Sequence, residues 1–369
     1  MEKRFGNPKN ILVVRLGAMG DIVHVIPAVK NLKMTFPSAH IAWLVEDRLS
    51  DLVEGIPEID EVIIFPRRQW QKLLKSPQNY IRILSLMRLF LKKLRNRKYD
   101  MALDFHGNFK SGLLMYLSGT RTRIGFSRGY CKEFNFLFTN LRITPQQKRM
   151  HRIDKYLSLL HGLGIKAYYQ RPVFFIPDTD RLYIDDFLSQ NHLNQKSIAI
   201  IHPGTSMFGE YKRWPPENYA HLADALTKEF NCSVVFTWGA SEYDLVEKII
   251  SFMRYQATIA CKTSLVRQLI ALIQHACLFI GGDTGPTHIA SCIGIPTIAI
   301  FGPKDPVIYA PYDRNALVVR KDIPCSPCEK RKCGHVTCIN VITPEDILNV
   351  VRDIGKFKVE KKFDFLHSA

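Results

Sequence analysis

Short apolar runs alternate with amphipathic segments along the first half of the chain. The β-branched run ILVVRL predicts a strand, and apolar residues at helical spacing from 22 to 32 predict the helix that follows it, with Pro27 expected to kink that helix or shorten it. The same alternation predicts strands at HIAWLVED, EVIIFP, MALDF and TRIGF. Strands that alternate with helices favour a parallel, doubly wound α/β sheet.

The alternation weakens between residues 140 and 195 and then begins again at SIAIIHPG. A chain of 369 residues also exceeds what one hydrophobic core usually supports, so two Rossmann-like domains are expected. We place the first at 1–178 and the second at 190–342, with their ligand-binding edges facing a central cleft. Residues 343–369 are expected to form a capped helix and a basic tail that pack back toward the first domain.

Positive charge is concentrated in the first half of the chain. The sequence has 51 Lys and Arg against 34 Asp and Glu, a formal net charge of +17, which favours an anionic partner such as nucleic acid, anionic lipid or a phosphorylated or carboxylated substrate. The stretch at 80–98 predicts a basic amphipathic helix, because arginines interrupt it too often for a membrane span. The N-terminus resembles no secretory signal, so a cytoplasmic location is expected.

The stretch GGDTGPTH combines a strand end, a glycine turn and a helix start. Free N–H groups at a helix start, with glycines that permit close approach, bind a diphosphate well. The polar members of this stretch are Asp283, Thr284, Thr287 and His288, with Gly285 between them. A simple helix cap at Asp283 or Thr284 would explain one polar residue there, but not the whole set.

Three further residues stand on strand-to-helix loops. Lys212 of KRWP could neutralise a leaving phosphate, or be a surface lysine. Glu242 could accept the hydroxyls of a ribose, or favour the helix start by its charge. Asp21 follows the turn GAMG, which matches neither a dinucleotide-binding glycine motif nor a P-loop, and it could be a functional carboxylate or a helix cap.

Four cysteines form the pattern C-x2-C-x4-C-x4-C near the end of the chain, at Cys325, Cys328, Cys333 and Cys338. Such spacing fits a structural zinc site, whereas free thiols, or a disulfide formed on oxidation, are the alternative. Neither reading assigns the cluster to catalysis.

These motifs together resemble glycosyltransferase family 9, the ADP-heptose:lipopolysaccharide heptosyltransferases. The similarity extends from ILVVRLGAMGDIVHVIPAVKNL to TPEDILNVV, and GGDTGPTHIASCIGIPTIAIFGPKDP is its most specific part. Within the family the chain resembles heptosyltransferase I, because of PRRQWQK at 66–72. The resemblance implies a GT-B fold, transfer with inversion of the anomeric centre, and no required cofactor or metal.

The resemblance also implies roles for individual residues. It makes Asp21 the catalytic base and Lys212 the residue that holds the donor diphosphate. The residues implied to bind the donor are Thr205, Ser206, Glu242, Asp283, Thr284, Gly285, Thr287 and His288. Those implied to bind the acceptor are Arg67, Arg68, Lys72, Lys132 and Lys155. Lys132 and Lys155 stand where heptosyltransferase I has arginines, and a lysine lacks the bidentate fork of a guanidinium.

The expected activity is transfer of heptose from ADP-L-glycero-D-manno-heptose to a Kdo residue of the lipopolysaccharide inner core (Kdo-lipid A). Transfer to a core heptose, as by heptosyltransferase II, and use of another nucleotide sugar are the alternatives within the family. A nucleic-acid-binding protein is the non-enzyme alternative, although the chain has no known nucleic-acid-binding motif. We expect a monomer that associates peripherally with the anionic cytoplasmic face of the inner membrane and binds no nucleic acid.

Overall fold

The computed structural model describes residues 6–205, 209–328, 330 and 333–364, with side chains up to residue 354. Contacts divide the chain into two compact units, one ending at Phe175 and the other beginning at Ile176. Each unit is built on one six-stranded parallel sheet.

The sheet of the first unit has the order β3-β2-β1-β4-β5-β6, the strand order of a Rossmann fold. Its strands are β1 (Asn10–Val14), β2 (His40–Glu46), β3 (Glu61–Phe65), β4 (Met101–Asp104), β5 (Thr122–Phe126) and β6 (Leu141–Ile143). In the register, Val14 lies between Leu44 and Asp104, so the carboxyl ends of three strands meet at one edge. The central strand is buried on both faces, which explains its unbroken apolar run.

Helices cover both faces of this first sheet. They are α1 (Met19–Thr35), α2 (Arg67–Leu73), α3 (Tyr80–Asn96), α4 (Phe109–Leu117) and α5 (Arg152–His161). Helix α1 continues through Pro27 without ending, contrary to the expectation that this proline shortens it. Pro27 is buried, and the packing of α1 on α5 compensates for the one backbone hydrogen bond that a proline cannot donate.

The second unit repeats the same topology, with the order β12-β11-β10-β7-β8-β9. Its strands are β7 (Ile198–His202), β8 (Ser233–Phe236), β9 (Thr258–Ile259), β10 (Ala276–Gly282), β11 (Thr297–Ile300) and β12 (Ala316–Val319). Its helices are α6 (Asp178–Gln190), α7 (Pro216–Phe230), α8 (Tyr243–Ser251), α9 (Val266–Gln274), α10 (Gly285–Cys292), α11 (Pro306–Tyr309), α12 (Thr337–Asn340) and α13 (Pro344–Asp364).

The C-terminal helix α13 begins with the expected capping box: the carboxylate of Asp346 accepts from the backbone N–H of Thr343 at 2.9 Å. The apolar side chains of Ile347, Leu348 and Val351 belong to the core of the second unit. Helix α13 packs on α7 and β12. Its described apolar side chains therefore complete the core of the second unit.

Candidate active site

The first cluster of polar side chains lies at the carboxyl ends of β1 and β4. Arg15, directly after β1, is buried and forms an ion pair with Asp21. The guanidinium of Arg15 also donates to the carbonyl of Phe105 at 3.0 Å and to the hydroxyl of Tyr156 at 3.2 Å. The Tyr156 hydroxyl in turn donates to the Asp21 carboxylate at 3.2 Å. Two residues about one hundred and forty positions apart in sequence thus hold one carboxylate.

Asp21 is not a helix cap. The cap position of α1 is Ala18, and Asp21 lies in the first turn of the helix with its carboxylate directed to Arg15 and Tyr156. Burial acts to raise the pKa of Asp21, but the charges of Arg15 and Arg152 and the hydrogen bond from Tyr156 outweigh it, so that the pKa lies below its ordinary value. The carboxylate is therefore ionised at neutral pH, while 30% of the side chain stays exposed.

His106 lies beside this pair on the loop after β4. Burial and the positive charges of Arg15 and Lys110 lower its pKa to about 3, so the ring is neutral at physiological pH. Its Nδ1 atom accepts from the backbone N–H of Leu16 at 3.3 Å. The loop itself is held by buried Asp104, which accepts from the N–H groups of His106 and Gly107 at 2.8 and 3.0 Å.

The predicted acceptor-binding cations occupy different environments. Arg67, at the start of α2, donates to the buried carboxylate of Glu46 at 3.0 Å, and Lys110 donates to the same carboxylate at 2.7 Å. Arg68 and Lys72 are exposed on α2. Arg67 is thus fixed in position, while the other two cations of this helix extend into solvent.

Lys132 and Lys155 lie on the other side of the first cluster. Lys132 is exposed, and its backbone N–H donates to the carbonyl of Gly107 at 2.7 Å. The ammonium of Lys155 donates to the carbonyl of Tyr130 at 2.6 Å. Burial, and then the charge of Arg152, lower the pKa of Lys155 to about 8. An anionic ligand near Lys155 would restore its full charge, because an opposite charge favours the protonated form.

The second cluster lies at the carboxyl ends of β7 and β10, in the second unit. The ammonium of Lys212 donates to the carboxylate and to the backbone carbonyl of Asp283, both at 2.7 Å. The ring of His288 lies 3.5 Å from the other carboxylate oxygen of Asp283. Burial acts to raise the pKa of Asp283, but His288 and Lys212 hold it well below its usual range. The structure therefore brings three of the predicted donor residues into one charged group.

The start of α10 fits an anion. Thr284 occupies the cap position without a side-chain hydrogen bond to the helix, and its hydroxyl lies 3.1 Å from that of Thr287. Thr287 donates to the carbonyl of Gly282 at 2.6 Å, and Gly285 is the first helical residue. Because the cap residue offers no side-chain acceptor, the N–H groups of Gly285 and Thr287 can donate to a phosphate, whereas Pro286 between them has no N–H.

Glu242 is seated between two glycines. Its carboxylate accepts from the N–H of Gly239 at 2.7 Å, and a Cβ atom on Gly204 would lie 2.0 Å from it. His202, whose pKa is lowered by burial, lies 3.9 Å away. Thr205 follows on the same loop and accepts from Arg213 at 3.0 Å. Ser206, predicted to bind the donor, lies outside the described residues.

Trp214 fixes the loop that carries Lys212. The indole is 1% exposed, donates to the carbonyl of Ile342 at 2.8 Å, and packs edge-to-face on Tyr219 with ring centroids 4.9 Å apart. The sequence motif KRWP therefore joins an anchor in the core to a cation at the sheet edge.

The four clustered cysteines are free thiols. Burial, and then the thiols of Cys328, Cys325 and Cys333, raise the pKa of Cys338. Within the described part of the chain, however, no group of three or more His, Cys, Asp or Glu side chains is placed to hold a metal ion. The structural zinc site that the spacing allowed stays a prediction.

Several residues of the first cluster were not singled out from the sequence: Arg15, Glu46, His106, Lys110 and Tyr156. Arg15 directly follows a buried strand and His106 stands two residues after another, which is a signal that a search of strand ends would find. Tyr156 lies inside a helix among apolar residues, and no local pattern distinguishes it from a core tyrosine.

Two Rossmann-like units, each with a polar cluster at the carboxyl edge of its sheet, correspond to the GT-B fold. The family model "Glycosyltransferase family 9 (heptosyltransferase)" matches residues 87–337, more than half of the chain. The protein belongs to this family and is a glycosyltransferase, which confirms the resemblance seen in the sequence.

The relatives agree with this assignment. The chain is 28% identical to the lipopolysaccharide core heptosyltransferase OpsX of Haemophilus influenzae, over 83% of this chain and 82% of that protein. It is 25% identical to lipopolysaccharide heptosyltransferase 1 of Pseudomonas aeruginosa, over 88% and 87%. The solved structure of E. coli heptosyltransferase WaaC with ADP has the same fold, with a TM-score of 0.73 at 21% identity over 93% of this chain and 99% of that one.

Proposed function

We propose that the protein transfers heptose from ADP-L-glycero-D-manno-heptose to a Kdo residue of the lipopolysaccharide inner core, with inversion and without a metal. The observation that carries this proposal is the carboxylate of Asp21, which Arg15 and Tyr156 keep ionised at the edge of the first sheet. The likeness to OpsX and to heptosyltransferase 1 supports heptose and lipopolysaccharide as the substrate classes.

In this proposal Asp21 is the general base. The acceptor hydroxyl must lose its proton as it attacks the anomeric carbon of the donor sugar, and an ionised, partly exposed carboxylate can take that proton. Arg15 and Tyr156 already occupy part of the hydrogen-bonding capacity of Asp21, so they orient it as well as charge it. The cations Arg67, Arg68, Lys72, Lys132 and Lys155 would hold the carboxylates and phosphates of the acceptor.

The second unit stabilises the leaving group. As the bond from the sugar to ADP breaks, negative charge grows on the diphosphate. Lys212 and the free N–H groups at the start of α10, with the hydroxyls of Thr284 and Thr287, would stabilise this charge. Glu242 would accept the ribose hydroxyls, and Asp283 with His288 would contact the donor sugar. In this proposal, Lys212 and the backbone dipoles at the start of α10 stabilise the charge on the leaving diphosphate in place of a divalent cation.

The test combines a donor panel with two variants. Purified protein is incubated with ADP- or UDP-sugars and Kdo-lipid A, or with the same acceptor already carrying one heptose, and the products are weighed by mass spectrometry. We expect one added heptose on Kdo-lipid A from the ADP donor. Addition only to the heptose-bearing acceptor, or only from another nucleotide sugar, would contradict the proposed substrates.

The variant Asp21→Asn should abolish transfer, by at least about a thousandfold, while ADP binding measured by calorimetry is retained. Asp186→Asn, which changes an exposed carboxylate on α6, is the control and should behave as the wild type. If Asp21→Asn keeps near-normal turnover, Asp21 is not the base.

A further inference from the structure

Helix α3 presents an outer face that combines large apolar side chains with cations. Its inner face is buried through Ile83, Phe90 and Leu94. On the outer face Ile81 is 81% exposed, Leu89 63% and Leu84 56%. Three large aliphatic side chains exposed to this degree on one helix are costly to leave in water, and exposed apolar side chains grouped in this way mark an interaction site.

The charge around this face has one sign. Between Glu61 and Asp100 the chain contains no acidic residue, while it contains eleven Lys and Arg, counted as 67, 68, 72, 75, 82, 88, 92, 93, 95, 97 and 98. Within the described part of the chain, no carboxylate pairs with Arg82, Arg88, Lys92 or Lys93, all of which are exposed on α3. The cations of this helix are therefore available to an external anionic surface.

We propose that α3 is a membrane-docking helix: it lies in the plane of an anionic lipid bilayer, inserts Ile81, Leu84 and Leu89 among the headgroups, and contacts lipid phosphates through Arg82, Arg88 and Lys92. No helix in the described ranges is both long and apolar enough to cross a membrane, so α3 acts at the surface. The proposal rests on the proposed function only in that a lipid-linked acceptor gives the docking a purpose.

The combination of groups selects a bilayer over a nucleic acid. Phosphates of a nucleic acid would pair with the cations but would leave three large aliphatic side chains in water. A bilayer surface accepts both groups at once, because acyl chains take up the aliphatic side chains and anionic headgroups take up the cations. The exposed aliphatic side chains and the cations lie together on α3, so one anionic bilayer surface contacts both.

Helix α3 is also linked to the acceptor side of the first unit. Trp70 of α2 packs edge-to-face on Phe90 of α3, with ring centroids 5.6 Å apart, and on Phe65 at 5.2 Å. The helix that carries Arg67, Arg68 and Lys72 is thus braced against the docking helix. A lipid-borne acceptor held at the membrane by its acyl chains would be presented next to these cations.

The first experiment is vesicle flotation with the full chain. We expect binding to vesicles of phosphatidylglycerol and phosphatidylethanolamine, weak binding to phosphatidylcholine vesicles, and release from the anionic vesicles as NaCl is raised. Equal binding to both vesicle types, or no binding to either, would overturn the proposal.

Two triple variants separate the apolar and the charged contributions. Ile81→Ser/Leu84→Ser/Leu89→Ser should weaken vesicle binding on the order of tenfold or more, and Arg82→Gln/Arg88→Gln/Lys92→Gln on the order of a hundredfold. Because all six side chains are exposed, folding should be unchanged, which circular dichroism and the melting temperature would verify.

Each triple has a matched control on exposed positions elsewhere. The apolar control is Val173→Ser/Leu182→Ser/Val307→Ser, and the charge control is Lys228→Gln/Lys248→Gln/Lys262→Gln. Both controls should bind vesicles as the wild type does. If a control loses as much binding as its matching triple, the binding is a general property of the surface and α3 is not the docking helix.

Two further measurements separate this proposal from its competitors. The apolar triple should transfer heptose normally to a detergent-dispersed acceptor and lose rate only on acceptor in vesicles. If the wild type transfers heptose normally but binds no vesicles, the docking proposal is wrong and the proposed function stands. If the wild type binds vesicles through α3 but transfers no heptose, the proposed function is wrong and the docking proposal stands. If duplex or single-stranded DNA binds the apolar triple variant as tightly as vesicles bind the wild type, α3 binds nucleic acid and the docking proposal is wrong. If the apolar triple variant changes the oligomeric state and not vesicle binding, α3 contacts a second copy of the chain and the docking proposal is also wrong.

Discussion

The ion pair of Arg15 and Asp21 shows how one residue sets the ionisation of another. Without a cation beside it, burial would raise the pKa of the Asp21 carboxylate; with Arg15 in contact, the pKa lies below its usual value. Arg15 also keeps the Asp21 carboxylate in place through Tyr156, to which both side chains are hydrogen-bonded. Arg15 is therefore a positioning residue for the proposed base.

Arg15→Gln should shift the acid limb of the pH profile upward. The base acts when ionised, so activity falls as pH drops through the pKa of Asp21. Without Arg15, less positive charge opposes the effect of burial on the pKa of Asp21. The acid limb of the kcat/KM profile should therefore move to higher pH by about 1 to 3 units. Arg15→Lys, which keeps the charge, should show a smaller rise. Arg48→Gln, an exposed cation 3.7 Å from Glu46, is the control. A limb that does not move in Arg15→Gln would exclude this role.

Gly204 leaves room for the side chain of Glu242 in the second unit. A methyl group there would collide with the carboxylate of Glu242, because its Cβ would lie 2.0 Å from a carboxylate oxygen. Gly204→Ala should displace Glu242 and weaken ADP binding by roughly tenfold or more, an effect comparable to losing a charged hydrogen bond. Gly334→Ala, where nothing lies within 4 Å, should bind ADP normally. Calorimetry measures the affinity of each variant for ADP. If Gly204→Ala binds ADP as tightly as Gly334→Ala does, Glu242 does not bind the nucleotide.

At the scale of elements, caps and anchors decide where the functional loops stand. The hydrogen bond between Thr343 and Asp346 caps the start of helix α13. Just before this cap, the backbone carbonyl of Ile342 accepts the indole N–H of Trp214. The core position of Trp214 fixes the loop of Lys212. The segment that leads into helix α13 thus helps to position Lys212 in the second cluster, through the hydrogen bond from Trp214 to Ile342.

Asp346→Ala should destabilise the fold by about 1 kcal/mol at neutral pH, the usual value of a helix cap. Hydrogen bonds from Lys321 and Thr343 lower the pKa of Asp346 although burial opposes this, so the cap stabilises above the unfolded-state pKa and is lost as pH falls through the lower folded-state pKa. Urea unfolding at pH 7 and in acid should show the difference disappear at low pH. A pH-independent difference, or an equal loss in the exposed control Asp186→Ala, would contradict it.

At the scale of the whole molecule, the two units carry different polar clusters on the same fold. The same strand order appears twice, and each sheet carries its polar cluster at the carboxyl edge on either side of its first strand. The first unit supplies a carboxylate surrounded by cations, and the second supplies a cation and a helix start. The repeated fold thus yields two different sites, because the loops after equivalent strands differ.

ADP should protect only the second unit. At a hundred times its dissociation constant a ligand stabilises the state that binds it by about 2.7 kcal/mol. Hydrogen exchange should therefore slow at 202–213, 239–242 and 282–288 on adding ADP, and stay unchanged at 14–21. Lys212→Ala should abolish the protection, whereas Asp21→Asn should retain it. Protection of 14–21 by ADP alone would contradict this division of roles.

Local patterns in the sequence determined most of the fold. The βα alternation, the glycine turns and the capping box at Thr343 are local signals, since each depends on residues within one or two turns of the chain. The grouping of Asp283, Thr284, Thr287 and His288 was predictable for the same reason, because they occupy a single turn and helix start. The resemblance to family 9 added the assignment of Asp21 as a base, which spacing alone left open.

Tertiary structure decided what depends on distant contacts. Only the folded chain brings Tyr156 to Asp21, Lys110 to Glu46 and Lys212 to Asp283. These contacts help to lower the pKa of each of the three carboxylates. It likewise placed α13 on the second core and kept α1 continuous through Pro27. A sequence determines local conformation through interactions along a few residues. Burial and ion pairing depend on residues that folding alone makes neighbours, so the ionisation of the site could be learned only from the structure.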